Sequence, residues 1–172
     1  KEKEDTEMLE LNRISAGYGK QTVLDGISVD FEKGKLTSII GVNGCGKSTL
    51  LKAILGILSL SSGEIFIDGE NLLTISRNEI AKKIAYLSQG KNIPDMTVEQ
   101  MVLHGRFPYL SYPRRYSSHD REVAIKAMEA VGIAEFAHKP LYSLSGGMRP
   151  NAYIAMALAQ VTDYILLVEP TT

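Results

Sequence analysis

The chain is 172 residues long, enough for one domain with a real core, or a core carrying a modest insertion. Its 19 basic residues stand against 20 acidic ones for a net charge of −1, so no strong field draws it to nucleic acid. Apolar residues make up 44%, no apolar run is long enough to cross a bilayer, and the charged opening of residues 1–5 reads as a frayed end, not a signal peptide.

Residues 9–14 and 27–31 are short β-type runs. Glu32-Lys33-Gly34 then turns the chain into residues 36–40, Leu-Thr-Ser-Ile-Ile, which read as a buried strand. Gly41, Val42, Asn43, Gly44, Cys45, Gly46, Lys47 and Ser48 follow, and the spacing Gly41-x-x-x-x-Gly46-Lys47-Ser48 is a complete P-loop. Its glycines let the backbone fold tightly around an anion, with successive N–H groups turned toward phosphate oxygens. Lys47 reaches the outer phosphates and the Ser48 hydroxyl coordinates Mg²⁺, with Thr49 beside it. A helix over residues 48–55 aims its positive end at the same place. The chain is therefore expected to bind a nucleoside triphosphate. The single Cys45 excludes an internal disulfide and suits a reducing cytosol; a small residue that fits the loop is a simpler reading of it than a redox role.

Residues 59–63 form a loop, residues 64–68 alternate as a strand does, and Asp68-Gly69 marks a turn. Residues 84–88 read as another strand, ending at Gln89. From about Gly90 the character becomes helical. Thr97-Val-Glu-Gln100 is a capping box opening a helix that stops near Gly105. Residues 107–113 form an aromatic loop broken by proline. Ser117-Ser-His-Asp120 caps a second helix with Val123, Ala127, Ala130 and Val131 on one face and Gly132 as its stop. A further helix follows Gly147, and residues 164–168 are an apolar strand leading into Glu169. The pattern is an α/β nucleotide-binding core with a helical insert.

Leu144-Ser145-Gly146-Gly147, taken with the P-loop, is the signature of ATP-binding cassette (ABC) proteins, and the chain resembles that family over nearly its whole length. Gln89 stands where the family's Q-loop glutamine does, Tyr18 where an aromatic stacks on adenine, and Glu169 where the catalytic glutamate lies. Two bland readings stay open beside these: Tyr18 as a packing residue, and Gln89 as the cap of its strand. The resemblance implies a P-loop NTPase core with a parallel sheet, an N-terminal antiparallel β subdomain and a helical insert. As one incomplete ATP-binding domain over residues 1–172, its core would take residues 8–89 and 156–172, and its helical subdomain residues 90–155.

The resemblance also implies ATP and Mg²⁺ as cofactors, with Ser48 and Gln89 at the metal and Lys47, Gln89 and Glu169 catalytic. Two cassettes would pair head to tail as a homodimer, so that Ser145 and the Gly146 and Gly147 amides bind the partner's γ-phosphate. The pair would sit on the cytoplasmic face of a membrane through a permease, meeting any substrate-binding protein only indirectly. Thr97-Val-Glu-Gln100 with Gly105-Arg-Phe-Pro-Tyr109 and Tyr112-Pro113 is similar to cassettes that import iron chelates, haem or cobalamin. Phe107, Tyr109 and Tyr112 either pack a loop or belong to the surface that receives the permease. Arg114 and Arg115 read as solvated, and His104, His119 and His138 lack metal-ligand spacing.

Three departures from the family pattern matter. The family places Asp before the glutamate to hold the Mg²⁺ water shell; here Val168 stands there, and weak Mg²⁺ dependence with poor turnover is expected. Where the family usually has Gln, Pro150 either strains a helix begun at Ser145 or starts the helix itself, drawing its dipole away from Ser145. No histidine follows Glu169, so the chain reads as truncated after that strand. Against the importer ATPase stand two other readings. One is a nucleotide-binding module that does not hydrolyse, for regulation or assembly. The other is a soluble cassette ATPase acting on ribosomes or DNA, disfavoured by the balanced charge and the Gly105-Arg-Phe-Pro segment. A guanine-specific enzyme is unsupported, since no Asn-Lys-x-Asp motif occurs.

Overall fold

The computed structural model describes residues 8–87 and 93–167. These fall into two compact units, 8–84 and 85–167.

The first unit is built on an antiparallel sheet of order β2-β1-β3-β4. Its strands are β1 (Met8–Tyr18), β2 (Gln21–Glu32), β3 (Ser62–Ile67) and β4 (Glu70–Asn71). Leu9 pairs with Phe31 on one side and Ile67 on the other, and Leu11 with Val29 and Ile65. Leu9 and Leu11 are buried, yet so are Ile14 and Ala16, which a strict period of two would turn outward. The register shift after Leu11 resolves this. Arg13 takes a left-handed φ of 46° there, and the extra residue moves the buried face from odd to even positions.

Helix α1 (Lys47–Ile54) buries Thr49, Leu50, Leu51, Ala53 and Ile54, with Leu50, Ala53 and Ile54 at the three-and-four spacing of one helical face, and packs on β1 and β2. A second helix, α2 (Arg77–Lys83), is held by a capping box in which Ser76 Oγ accepts from the Glu79 amide and Glu79 accepts from the Ser76 amide.

The 36–40 segment is not a strand. Leu36 is 95% and Ile40 92% exposed, against the buried strand expected from their pattern. An extended apolar run becomes a strand only when neighbours satisfy its backbone N–H and C=O groups, and no described strand lies in ladder with it.

The second unit packs α3 (Val98–Leu103), α4 (Ser118–Ala130) and α5 (Arg149–Ala159) around a core that includes Val98, Val102, Ala124, Met128, Ile133, Leu141, Ala152, Ala155 and Ala159. Both expected capping boxes form: Thr97 Oγ1 accepts from the Gln100 amide at 3.2 Å, and Ser117 Oγ from the Asp120 amide at 3.2 Å. On α4 the buried face is Ala124, Ala127 and Met128, while Ala130, expected inward, is exposed. The first residues of the expected aromatic loop, 107–109, belong instead to a 3-10 turn, His104–Tyr109. Strands β5 (Ile84–Leu87) and β6 (Tyr164–Leu167) pair into a two-stranded sheet. No helix among the described residues is long and apolar enough to cross a membrane.

Candidate functional site

The sequence-predicted residues that the structure describes lie at two places, one in each unit. In the first, Gly46 is the N-cap of α1 with φ 98°. A Cβ at Gly46 would also lie 3.2 Å from side-chain atoms of Val23 and Leu24, so glycine is needed for shape as well as for backbone angle. The Cys45 amide donates to the Val42 carbonyl at 3.2 Å and closes the turn before the helix. The Leu50 amide is the first to reach back into the helix ladder, bonding Gly46 O at 2.9 Å. The amides of Lys47, Ser48 and Thr49 thus precede the intrahelical bonds, no side chain caps this end, and its first turn holds no acid.

Lys47 folds over the loop, its Nζ donating to Gly41 O at 2.6 Å and Val42 O at 3.0 Å, with Cys45 Sγ at 3.8 Å. A cation, a helix N-terminus and an exposed Ser48 hydroxyl therefore converge on one loop, with no acid in the first turn of the helix. That donor set fits a polyphosphate, and the Ser48 oxygen fits one coordination position of a hard cation such as Mg²⁺. Thr49 is buried, unlike Ser48. Tyr18, at the end of β1, stands beside the same helix: its hydroxyl receives Lys52 Nζ at 3.3 Å, and the ring stays half exposed. Hydrogen bonding to Thr49, then to Lys52, draws the Tyr18 phenol below its ordinary pKa.

In the second unit, Leu144 is buried and Ser145, Gly146 and Gly147 are exposed in a turn. The Ser145 carbonyl accepts from the amides of Met148 and Arg149, both at 3.0 Å, and its Oγ accepts from the Met148 amide at 3.3 Å. Ser145 thus caps a single turn. Helix α5 proper begins at Arg149, with Pro150 in its first turn. The Asn151 amide bonds Met148 O, three residues back, and Pro150 has no N–H to offer Gly146 O. Neither alternative read from the sequence holds unmodified: the helix is not continuous from Ser145, and it does not begin at Pro150. Arg149 secures the turn from inside, donating to Leu144 O at 3.0 Å.

Gln89, Val168 and Glu169 lie outside the described residues. Among the described residues, no group of three or more His, Cys, Asp or Glu is arranged to hold a metal ion.

One residue was passed over as an individual. Arg106 is 5% exposed; its Nε donates to Asp120 Oδ1 at 3.0 Å and its NH1 to Ala159 O at 3.0 Å. In the sequence Arg106 is a lone arginine inside an otherwise apolar and aromatic segment, and its charge calls for a partner. Asp120 is doubly used, its other oxygen accepting from the Ser117 amide and hydroxyl. Burial pushes the Asp120 carboxyl up, but the Ser117 bonds and the Arg106 guanidinium outweigh it and hold the pKa at about 2.

The pattern that defines the ABC transporter family matches residues 24–172. The petrobactin import ATP-binding protein FpuD of Bacillus anthracis is 42% identical over 165 residues, which cover 95% of this chain and 60% of that protein. The ferric enterobactin transport ATP-binding protein FepC of Escherichia coli is 42% identical over 161 residues, covering 93% of this chain and 59% of that one. Among solved structures, cbiO1 from Clostridium perfringens, part of the ABC transporter complex cbiONQ, superposes with a TM-score of 0.81 at 27% identity, covering 95% of this chain and 65% of that one. The chain spans about 60% of the length of the curated relatives it matches.

Proposed function

The chain belongs to the ABC transporter family, and from that premise we propose that the protein is the ATP-binding and ATP-hydrolysing subunit of an importer for an iron-chelate type substrate. The observation that carries this reading is the 42% identity to petrobactin and enterobactin import subunits, which runs through the P-loop and the helical unit alike. The fold agrees, being an α/β cassette with an antiparallel β subdomain and helices.

ATP with Mg²⁺, when bound, supplies the phosphoanhydride to be cleaved and part of the charge that balances it. The chain's own groups do the rest. The Lys47 ammonium exchanges the Gly41 and Val42 carbonyls for phosphate oxygens, and the α1 amides point at the same anion. Ser48 offers its hydroxyl to the metal, and the Tyr18 ring offers a face to the base. Ser145 and the Gly146 and Gly147 amides serve the site of a second copy, in a head-to-tail homodimer. Glu169 takes the proton of the attacking water, and Gln89 senses the γ-phosphate. A membrane permease receives the motion on the cytoplasmic face.

A second reading, binding without hydrolysis, draws on Val168, whose isopropyl group cannot accept a hydrogen bond from metal-bound water. Reconstitution of the full-length protein with its permease in vesicles separates the two. ATP-dependent uptake of a ferric siderophore supports the importer. ATP binding by titration, with neither hydrolysis nor uptake, supports the second reading.

A further inference from the structure

Tyr18 is fixed from two directions. At its backbone end it pairs with Gln21 across the turn Gly19-Lys20, in which Gly19 takes a left-handed φ of 60°. The strands close so tightly there that a Cβ on Gly17 would overlap the Gln21 carbonyl. At its far end the hydroxyl is met by α1: Lys52 Nζ donates to it at 3.3 Å, and the Thr49 side chain bonds it as well. Thr49 and Lys52 are three residues apart and so are neighbours on the helix surface.

The direction of approach leaves the ring usable. Lys52 Nζ is 5.6 Å from the ring centre against 3.3 Å from the oxygen, so the ammonium sits beyond the hydroxyl and not over a face. The ring remains 48% exposed. Among the described residues Lys52 pairs with no carboxylate, and the Tyr18 hydroxyl is the acceptor of its ammonium.

The same helix starts at the phosphate loop. Lys52 follows Lys47 by five residues, about 7.5 Å along the axis. One short rigid element therefore carries both the cation that meets the phosphate loop and the cation that meets Tyr18.

We propose that Lys52 is a positioning residue for the nucleoside: acting through the Tyr18 hydroxyl, it holds the ring at a fixed reach from the phosphate loop and favours a nucleoside triphosphate over bare polyphosphate. The inference rests on the reading above in which the Tyr18 ring offers a face to the base. A ring ordered before the base arrives costs less to stack on than one that binding must order. A cation in the last turn of a helix also suits the dipole, but that role does not tell a base from its absence.

The test titrates ATP and inorganic tripolyphosphate, each with Mg²⁺, into the full-length protein. The proteins are wild type, Lys52→Met, Lys52→Arg, Tyr18→Phe, Tyr18→Ala and the double variant Lys52→Met with Tyr18→Phe. Lys52→Met is expected to weaken ATP binding by about fivefold, the scale of one net hydrogen bond, and to leave tripolyphosphate binding unchanged. Lys52→Arg keeps a donor and recovers the ATP affinity. Tyr18→Phe keeps the ring but loses the handle, so it weakens ATP binding by the same factor, and adding Lys52→Met to it changes nothing further. Weaker tripolyphosphate binding in Lys52→Met, or a further loss of ATP affinity in the double variant, means that Lys52 acts other than through Tyr18 and overturns the inference. Wild-type ATP affinity in Lys52→Met overturns it as well. If Tyr18→Ala binds ATP as wild type does, the base-stacking reading fails first and this inference falls with it, while the importer reading is untouched.

Discussion

Arg106 and Asp120 form an ion pair at 3.0 Å with both side chains nearly sealed from solvent, between the turn that follows α3 and the first turn of α4. A buried pair is not by itself a large source of stability, but removing one member leaves the other charged and unsatisfied, at about 3–5 kcal/mol. Arg106→Met is expected to destabilise by that order in chemical denaturation, and Asp120→Asn by somewhat less, because Asn keeps part of the Ser117 cap.

The pair also sets an acid dependence. The Asp120 carboxyl is held at about 2, below its ordinary 3.8, so its contribution is present above about pH 4 and is lost as pH falls toward 2. The amount is on the order of 1–2 kcal/mol. Wild type and Asp120→Asn, compared by thermal melting at pH 5 and again at pH 2.5, should differ more at the higher pH. An equal difference at both would remove Arg106 and Ser117 as the cause.

Gly46→Ala should be costly for a backbone reason. The residue sits at φ 98°, and its added methyl carbon would press Val23 and Leu24. The expected loss is about 1–3 kcal/mol, together with weakened nucleotide binding as the start of α1 shifts. Titration of ATP into the variant and a denaturation curve read the two effects separately; unchanged values for both would refute the assignment.

Pro150→Gln should stabilise, by about 1 kcal/mol, the worth of one backbone hydrogen bond. The turn at Ser145 has already parted from α5 to accommodate the proline, so the larger cost of a proline inside a continuous helix is not there to be recovered. A rise in helical circular dichroism should accompany the gain. Destabilisation would mean that the proline is a favoured first-turn residue.

Val168→Asp in the full-length protein should raise Mg²⁺-dependent hydrolysis by roughly 10²–10³, the usual scale for one preorganised electrostatic group. Steady-state rates with and without Mg²⁺ read this. Brisk Mg²⁺-dependent turnover with Val168 in place would sink the idea.

What was legible in the sequence was what is decided locally. Capping boxes need only four residues, so Thr97 to Gln100 and Ser117 to Asp120 could be read directly. The box from Ser76 to Glu79 has the same form and was missed because α2 buries only Ile80, too little to set a periodic pattern. The P-loop was legible for a related reason: its glycines and lysine work on their own neighbouring backbone. What depends on distant partners was read less well. The 36–40 segment has the composition of a strand, but pairing is not a property of the segment. The bulge at Arg13 is set by what lies across the sheet, and Arg106 finds its partners 14 and 53 residues away.

The open 36–40 segment bears on nucleotide affinity. The phosphate loop lies between α1 and residues 36–40, which pair with no strand among the described residues, so the two are linked through a few bonds of backbone. A strand laid against Leu36 to Ile40 would fix the loop's upstream end. Covering residues 36–40 and gripping an anion thus draw on the same short stretch of backbone, which joins the packing of that run to the shape of the phosphate loop.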